Sequence, residues 1–291
     1  MDTPELIAFV QVADAASFSA AADQLHLTQS AVSRRIANLE RRLEARLFDR
    51  IGRNVTLTEA GRTLLPRAQR ILSQIEDSRT LVKNLQGAVG GSLILGTSHH
   101  IGLHRLPEVL RDFSRSHPEV SLELRFLDSE AAYAELLSGQ LELAVVTLAP
   151  TNVPPLSSRT IWTDPLVFAA APEHPLARRP GPSLAELGRH RAVLPGSGTY
   201  TGRIATALFA AAGIRLDATM STNYLETIRM MASIGLGWTV LPETMLNERL
   251  VRIEPRDAPP MTRRLGWVRH PDRTASNAAR AFVDALDAVA H

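Results

Sequence analysis

Three glycines divide this chain of 291 residues into two parts with different hydrophobic patterns. Before Gly87, apolar residues recur every three or four positions, which is the spacing of amphipathic helices. After Gly91, short apolar runs alternate with helical segments, a pattern typical of a parallel sheet covered by helices. A chain of this length is expected to form two domains, or one domain with an appendage. We therefore predict an α-helical front part, a boundary at Gly87, Gly90 and Gly91, and an α/β body.

The composition favours a globular protein of the cytoplasm. About 45% of the residues are hydrophobic, which is enough for each domain to bury a core. No stretch approaches the roughly 18 consecutive apolar residues of a membrane-spanning helix. The N-terminal residues lack the pattern of a secretion signal, and the sequence contains no cysteine. We therefore predict a cytoplasmic protein with no membrane contact, no disulfide framework and no thiolate site.

The net charge of +2 is distributed unevenly along the chain. Residues 28–70 contain 10 arginines and 4 acidic residues, whereas residues 91–291 contain 20 basic and 20 acidic residues. A basic segment attached to a neutral body indicates an anionic partner for that segment alone. We therefore expect a binding surface for an anionic partner within residues 28–70.

Three short helices are predicted before residue 45. Residues 4–16 carry an apolar stripe, Ser17 is suited to cap a second helix, and Thr28 is suited to cap a third. The apolar face of the third helix consists of Val32, Ile36, Leu39 and Leu43. The opposite face of its first turns carries Gln29, Ser30, Ser33 and Arg34. Such side chains reach base edges and phosphates from a helix in the major groove, and the order of elements is that of a helix-turn-helix motif.

A short hairpin is predicted after the third helix. Residues 50–57 read as a two-stranded wing with Gly52 at the tip and two arginines, Arg50 and Arg53. Arginines at such a tip are attracted to the minor groove of DNA. Taken alone, however, an arginine-rich helix face is also compatible with an ordinary solvated surface, since three-helix cores occur in many proteins that never contact DNA.

The N-terminal 60 residues resemble the LysR-type transcriptional regulators of bacteria. The resemblance rests on Ala20–Leu27, Thr28-Gln29-Ser30-Ala31-Val32-Ser33, Ile36, Leu39-Glu40, Leu43, Leu47-Phe48, Arg50 and Thr58-x-Ala60-Gly61. It implies a winged helix-turn-helix that binds double-stranded promoter DNA, with the third helix in the major groove and the wing in the flanking minor groove. The residues it assigns to DNA contact are Thr28, Gln29, Ser30, Ser33, Arg34 and Arg53. For Thr28, helix capping ranks ahead of a contact to phosphate.

A long helix is predicted from Thr58 to about Gln86. Its apolar stripe alternates steps of four and three residues, as in a coiled-coil seam, and consists of Leu64, Ala68, Ile71, Ile75, Ser78, Val82 and Leu85. The same stripe could instead pack against the chain's own body. The family resemblance implies pairing, because this helix is the usual dimerisation element of the family. It also implies tetramers and contact with RNA polymerase. Two paired copies would place two reading helices on a two-fold operator.

The body is predicted to form two α/β lobes from Ser92 onward. Between the first two strands a single helix is expected over residues 103–116. Lobes joined by two crossings of the chain suit a cleft that closes on a small ligand. The string Gly235-x-Gly237-Trp238-Thr239-Val240-Leu241-Pro242 resembles the effector-binding domain of the same regulators, which is similar to type 2 periplasmic binding proteins.

The predicted fold is therefore multidomain. An all-α winged helix-turn-helix with a long linker helix is followed by an α/β, two-lobed, periplasmic-binding-protein-like domain. The predicted boundaries are 1–58 for the DNA-binding domain, 59–91 for the linker helix and hinge, and 92–291 for the effector-binding domain. Within the last domain, lobe I comprises 92–162 and 267–291, and lobe II comprises 163–266.

Polar residues follow several predicted strands at the edge where parallel sheets bind ligands. The first strand ends at Thr97 and the third at Thr147, and a Gly/Ser-rich loop precedes a helix near residue 200. The predicted effector site consists of Thr97, Ser98, His99, His100, Thr147, Ser197, Gly198, Thr199 and Asn223. By family position, Ser98, Thr147 and Thr199 come first. Hydroxyls and backbone amides favour an anion or a carboxylate-bearing metabolite, although each Ser, Thr or Asn could instead only cap a helix.

The string of His99, His100 and His104 is also compatible with a metal site. We predict neither a metal ion nor a cofactor, because no carboxylate lies nearby in sequence and adjacent histidines in a strand or turn point to different sides. As imidazolium ions, His99 and His100 would strengthen the binding of an anion.

Two other function classes fit parts of the sequence. Ser98 beside His99 resembles the nucleophile and base of an enzyme, but Ser98 and Ser197 lack the GxSxG elbow, and HExxH and P-loop motifs are absent. A solute-binding protein fits the body, but the missing secretion signal and the basic front part argue against it. The sequence therefore predicts a DNA-binding transcriptional regulator without catalytic residues, whose DNA contacts change when a small effector favours one lobe arrangement.

Overall fold

The structure is a computed structural model that describes residues 1–51, 54–85, 87–216 and 220–290. The chain divides into two compact units. The first contains Met1–Gly87 together with Ser138–Gln140 and Arg273–Ala275, and the second contains the remainder. Every helix within the described ranges is too short or too polar to cross a membrane.

The first unit is built from helices and one hairpin. Its elements are α1 (Thr3–Ala15), α2 (Phe18–Gln24), α3 (Gln29–Leu43), β1 (Phe48–Ile51), β2 (Asn54–Leu57) and α4 (Glu59–Asn84). Side-chain caps begin the helices, since Ser17 accepts a hydrogen bond from the backbone N–H of Ala20 and Thr28 accepts one from that of Ala31. The three helices predicted before residue 45 are confirmed, as is a pair of antiparallel strands after them, whereas the predicted tip at Gly52 lies outside the described residues.

One apolar core joins α1, α2, α3 and the hairpin. The ring of Phe48 lies 5.4 Å from that of Phe9 and 5.7 Å from that of Phe18. The carboxylate of Glu40 accepts hydrogen bonds from the backbone N–H groups of Leu47 and Phe48, at 2.7 and 3.4 Å. These contacts fix the start of the hairpin to the end of α3.

The predicted seam on α4 has two different environments. Ala68 is buried, and Leu64 and Ile71 pack against the core of the first unit. Beyond them, Val82 is 64% exposed and Leu85 is 82% exposed. The first part of the seam therefore packs on the chain itself, within the helical first unit, while its last residues present an apolar surface to solvent.

The second unit is an α/β structure, as predicted. Its elements are β3 (Gly91–Thr97), α5 (His99–His104), α6 (Pro107–Ser116), β4 (Val120–Phe126), α7 (Ser129–Ser138), β5 (Leu143–Thr147), β6 (Ser157–Ala170), α8 (Leu184–Leu187), β7 (Val193–Leu194), α9 (Tyr200–Ala211), β8 (Met220–Ser221), α10 (Leu225–Ser233), β9 (Thr239–Pro242), a 3-10 turn (Glu243–Met245), β10 (Val251–Ile253), β11 (Met261–Arg269) and α11 (Asn277–Ala288).

The prediction of a single helix over residues 103–116 is wrong. The structure has two helices there, because α5 begins at His99 and ends at His104, and α6 begins at Pro107. Proline has no N–H to continue the hydrogen-bond ladder of a preceding turn, but it is well tolerated at the first position of a helix. The two histidines at the start of α5 therefore lie in a helix and not in a strand or turn.

Seven strands form one mixed sheet in the order β10-β6-β11-β5-β3-β4, with β9 also paired to β6. Strands β3, β4 and β5 run parallel, whereas β11 is antiparallel to both β5 and β6. The pairing of β6 with β11 shifts register between Leu265 and Gly266. At Gly266 a side chain would collide with the backbone carbonyl of Arg159, so only glycine allows the two strands to approach this closely.

Separate apolar cores lie along this sheet. One surrounds Leu136, Val146 and Val268, a second surrounds Phe168 and Trp238, and a third surrounds Val193, Ile228 and Leu241. We call the part with the first core lobe I, which includes β3–β5 and α5–α7, and the part with the second core lobe II, which includes β7–β9 and α8–α10. Strands β6 and β11 connect the two lobes.

Candidate functional site

The polar face of α3 lies at the start of this helix. Thr28, Gln29, Ser30 and Arg34 are exposed and Ser33 is half-buried, whereas Val32, Ile36 and Leu39 on the other face are fully buried. Thr28 caps the helix, with its Oγ1 3.2 Å from the backbone nitrogen of Ala31, and lies 3.0 Å from the hydroxyl of Ser30. The structure thus presents Thr28, Gln29, Ser30 and Arg34 to solvent and Ser33 in part. Arg53, the predicted wing contact, lies outside the described residues.

A cavity of about 320 Å³ lies between lobe I and lobe II. Its volume falls in the range of small-molecule sites. Six predicted effector residues line it: Ser98, His99, His100, Thr147, Thr199 and Asn223. The other three, Thr97, Ser197 and Gly198, are not among the described lining residues. Thr97 is fully buried in the sheet, where its hydroxyl donates to the carbonyl of Val145 at 2.8 Å.

The hydroxyl groups around the cavity differ in how they are bonded. Thr199 caps α9, since its hydroxyl accepts from the backbone N–H of Gly202 at 3.0 Å and donates to the carbonyl of Gly196 at 2.8 Å. Ser98 precedes α5 but makes no side-chain capping bond. Thr199 therefore acts as a helix cap, which is the alternative role that the sequence left open. Ser98 does not cap its helix, so its hydroxyl can bond to a ligand.

Two acidic residues of lobe I reach across the cavity to lobe II. Asp128 accepts a hydrogen bond from the side-chain amide of Asn223 at 2.6 Å. Glu130 accepts one from the backbone N–H of Tyr200, in the first turn of α9, and lies 3.4 Å from Arg203. Burial raises the pKa of Glu130, although backbone hydrogen bonds and Arg203 act in the opposite direction. The helix N-terminus of α9 is therefore a position where a carboxylate already binds.

A buried ion cluster lies beside the cavity. Asp164 on β6 is fully buried and pairs with Arg105 and with Arg263, whose Nη2 lies 2.9 Å from its Oδ2. Burial acts to raise the pKa of Asp164, but His100 and the two arginines outweigh it and hold this pKa below its usual range. Arg263 also donates to the hydroxyl of Thr201 at 3.1 Å. The guanidinium that lines the cavity is therefore already neutralised by a carboxylate.

Glu226 on α10 faces three histidines of α5. Its Oε1 lies 3.0 Å from Nε2 of His104 and 3.7 Å from Nδ1 of His100, and its Oε2 lies 3.4 Å from Nδ1 of His99. Burial acts to raise the pKa of Glu226, but His100, a backbone N–H and His104 outweigh it and hold this pKa at about 2. His100 is only 4% exposed, and neither of its ring nitrogens forms a hydrogen bond with any described residue.

Comparison with protein families covers both units. A family described as "Bacterial regulatory helix-turn-helix protein, lysR family" matches residues 4–62, and one described as "LysR substrate binding domain" matches residues 86–290. The chain belongs to the LysR family. This LysR-family protein is therefore a DNA-binding transcriptional regulator with a two-lobed effector-binding domain, and the enzyme hypothesis is set aside.

Individual relatives agree with this membership. The LysR-family chain is 32% identical over 277 residues to a probable RuBisCO transcriptional regulator of Cyanidioschyzon merolae, which covers 91% of both chains. It is 64% identical over 107 residues to an uncharacterised HTH-type transcriptional regulator of Azotobacter vinelandii, covering 37% of this chain and 74% of the relative. Full-length CbnR, solved in complex with its target DNA, matches in fold with a TM-score of 0.66, 22% identity and coverage of 100% of both chains.

Sequence reasoning missed the charged residues of the LysR-family effector domain. Polar residues after the carboxyl ends of parallel strands are expected to line a ligand site. Asp128 fits this rule as well as Thr97 and Thr147 do, because it follows the end of β4 at the same edge of the sheet. Asp164 and Arg263 lie within β6 and β11, where no motif or strand end marks them. Glu226 lies 122 residues from His104, so no local spacing connects the two.

Proposed function

We propose that this regulator binds a partly palindromic promoter site as a dimer or tetramer, and that a small anionic or carboxylate-bearing effector in the interlobe cavity changes its DNA contacts. In this proposal residues 1–58 form the DNA-binding domain, 59–91 the linker, and 92–291 the effector-binding domain. The observation that carries the DNA-binding part is the exposed polar face of α3, opposite the fully buried Val32, Ile36 and Leu39.

The proposed DNA interface consists of Thr28, Gln29, Ser30, Ser33 and Arg34 on α3, with Arg53 on the wing. Guanidinium groups bind guanine edges and short polar side chains bind other base edges or phosphates. The solved complex of CbnR with its target DNA supports this use of the fold.

The proposed pairing surface is the exposed end of α4 together with Leu85, which follows it. Leu81, Val82 and Leu85 are 55%, 64% and 82% exposed, although apolar side chains at helical spacing usually pack against a partner. Two copies joined along this helix would place two α3 helices on the halves of a two-fold operator.

The proposed effector binds among Ser98, Thr147, Thr199 and Asn223. A ligand carboxylate would take the position that Glu130 holds at the N-terminus of α9, next to the backbone N–H of Tyr200 and the guanidinium of Arg203. Ligand binding would then exchange a contact between the lobes for a contact with the ligand. Because the ligand has different affinities for the two lobe arrangements, it shifts their populations.

The DNA-binding proposal is tested by selecting bound duplexes from a random library with the full-length protein. We expect enrichment of inverted repeats and a steep loss of affinity with rising salt. Arg34→Ala should weaken binding to the selected site by about 1–3 kcal/mol and relax its sequence preference. Arg115→Ala, which removes an exposed arginine of lobe I, is the matched control. Equal losses of Arg34→Ala on selected and random DNA would contradict a base-reading role.

The effector proposal is tested by a thermal-shift screen of organic acids, sulfate and phosphate on the full-length protein. A bound ligand raises the unfolding temperature by mass action. Glu130→Gln should increase the affinity for carboxylates, because the competing internal carboxylate is gone, whereas Glu119→Gln at an exposed site of lobe I should not. If the neutral amides of the same acids bind as well as the acids themselves, the anionic nature of the effector is wrong.

A further inference from the structure

We propose that His100, His104 and Glu226 form a binding site for a divalent transition metal ion such as Zn²⁺, which links lobe I to lobe II. The two histidines lie on α5 of lobe I and the glutamate lies on α10 of lobe II. This site goes beyond the regulatory function proposed above, and its test uses neither DNA nor an organic effector.

The distances between the ligand atoms suit a single ion. One nitrogen of each histidine and one carboxylate oxygen of Glu226 all lie within 4.8 Å of one another. Oε1 of Glu226 is 3.0 Å from Nε2 of His104 and 3.7 Å from Nδ1 of His100. Around a tetrahedral Zn²⁺, with ligand bonds of about 2.0–2.2 Å, neighbouring ligand atoms are roughly 3.3 Å apart. The two separations from Oε1 lie on either side of that value, and the two histidine nitrogens are within 4.8 Å of each other, so side-chain movements can bring the three atoms around one ion.

The burial of His100 is the second observation that points to a ligand. A buried polar group without a hydrogen bond is costly, yet both ring nitrogens of this 4% exposed side chain lack hydrogen bonds to described residues. Nδ1 faces Glu226 and Nε2 lies 3.7 Å from Oδ2 of Asp164. A metal ion on Nδ1 would leave Nε2–H directed to Asp164, and histidine ligands of metals commonly donate their other N–H to a carboxylate in this way.

His99 holds the other side of the glutamate. Its Nδ1 lies 3.4 Å from Oε2 of Glu226, so it contacts the oxygen that the two other histidines do not. Its ring also lies edge-on to that of Tyr224, with 5.3 Å between the centroids. We therefore assign His99 a positioning role, in which it orients the Glu226 carboxylate towards the ion.

The donor set indicates which ions bind. Two imidazoles and one carboxylate, with no thiolate in the chain, suit Zn²⁺, Co²⁺ or Ni²⁺ better than Ca²⁺ or Mg²⁺, which prefer oxygen ligands. Three protein ligands leave a coordination position for water or for a donor atom of a small molecule. Because the ligands come from both lobes, a bound ion stabilises the arrangement in which α5 and α10 are close together.

The test is a titration of the EDTA-treated, full-length protein with Co²⁺ or Zn²⁺ alone. Calorimetry should show one ion per chain, and Co²⁺ should give the visible absorption of an ion with imidazole and carboxylate ligands. We expect His104→Gln and Glu226→Gln each to weaken binding by at least about tenfold. His117→Gln, which changes another histidine of lobe I, is the matched control and should bind as the wild type does. Because the side chain of His104 is 39% exposed, its replacement leaves the cores intact.

Two results would overturn the proposal. One is the absence of binding by the wild-type chain, and the other is equal affinity in the wild type, His104→Gln and Glu226→Gln. Unfolding temperatures measured with EDTA show whether each variant is folded, and a second comparison of His99→Gln with His104→Gln separates a positioning role from direct ligation. Either failure would leave the DNA-binding and effector proposals unaffected, since those are measured without added metal.

Discussion

Arg263 and Asp164 form an ion pair in which the arginine side chain is 4% exposed and the aspartate side chain is fully buried. Their residues are directly paired on the antiparallel strands β11 and β6, so the backbone places the two side chains together. The net contribution of such a buried pair to the free energy of unfolding is small, because both charges lose their contact with water. Removing one partner costs much more, because the other charge then stays buried without compensation.

Asp164→Asn should therefore destabilise the effector-binding domain strongly. The substitution removes the charge that compensates Arg263, and we expect the free energy of unfolding to fall by about 3–5 kcal/mol. Urea unfolding followed by tryptophan fluorescence measures this domain selectively, because Trp162, Trp238 and Trp267 all lie within it.

The double variant Asp164→Leu with Arg263→Met is the matched control. Replacing both partners of a buried ion pair by apolar residues is often close to neutral, so this variant should recover most of the lost stability. A loss below about 1 kcal/mol in Asp164→Asn would show that Arg263 finds water or another partner.

Gly61→Ala should destabilise the DNA-binding domain. An added Cβ would overlap the backbone carbonyl oxygen of Leu47, which already accepts a hydrogen bond from the N–H of Thr58 and cannot turn away. Overpacking of this kind costs about 1–3 kcal/mol, which scanning calorimetry of the full chain would detect. Gly198→Ala is the control, since no described atom lies within 4 Å of the added Cβ there. Equal stability of the two variants would contradict the close approach of α4 to Leu47.

Thr28→Ala should lower the free energy of unfolding of the DNA-binding domain by about 1 kcal/mol, because α3 loses its N-terminal cap. Thr28→Asp retains a capping oxygen and should keep most of that stability. Calorimetry of both variants separates capping from other roles of this side chain. If alanine and aspartate destabilise equally, the cap does not contribute to stability.

His174→Asn should reduce the loss of stability in acid. Burial lowers the pKa of His174, with a further contribution from His190, and its Nδ1 accepts a hydrogen bond from the backbone N–H of Leu176 at 3.2 Å. As pH falls below about 6.5, the unfolded chain takes up this proton before the folded chain does, so stability falls. Asparagine keeps an acceptor and does not titrate.

The measurement is the urea midpoint of the wild type and of His174→Asn between roughly pH 7 and pH 5. The wild type should lose more stability over this range than the variant. Parallel pH profiles of the two proteins would mean that His174 titrates alike in the folded and unfolded chains.

The parts of the fold that the sequence predicted are those with local signals. Ser17 and Thr28 are capping residues next to periodic apolar runs, and the structure begins α2 and α3 directly after them. The break at Pro107 also carried a local signal, which the prediction of one helix over residues 103–116 did not use. Propensity and spacing therefore define most elements of this chain to within a few residues.

The charged part of the candidate site depends on contacts between distant residues. Asp164 and Arg263 are 99 residues apart, and Glu226 and His104 are 122 apart. These partners meet only because β6 and β11 pair and because α5 and α10 lie at the same cavity. The residues next to His104 in the sequence were therefore no guide to the carboxylate that it faces in the structure.

Strand β11 lies in the middle of the seven-stranded sheet, between β5 and β6. During synthesis the ribosome releases all of lobe II before this strand, so lobe I cannot complete its sheet until residue 269 has emerged. Until then β5 and β6 each carry an unpaired edge that can pair with other chains. A chain arrested before residue 261 would therefore keep both edges unpaired, and the two lobes would lack the strand that joins them.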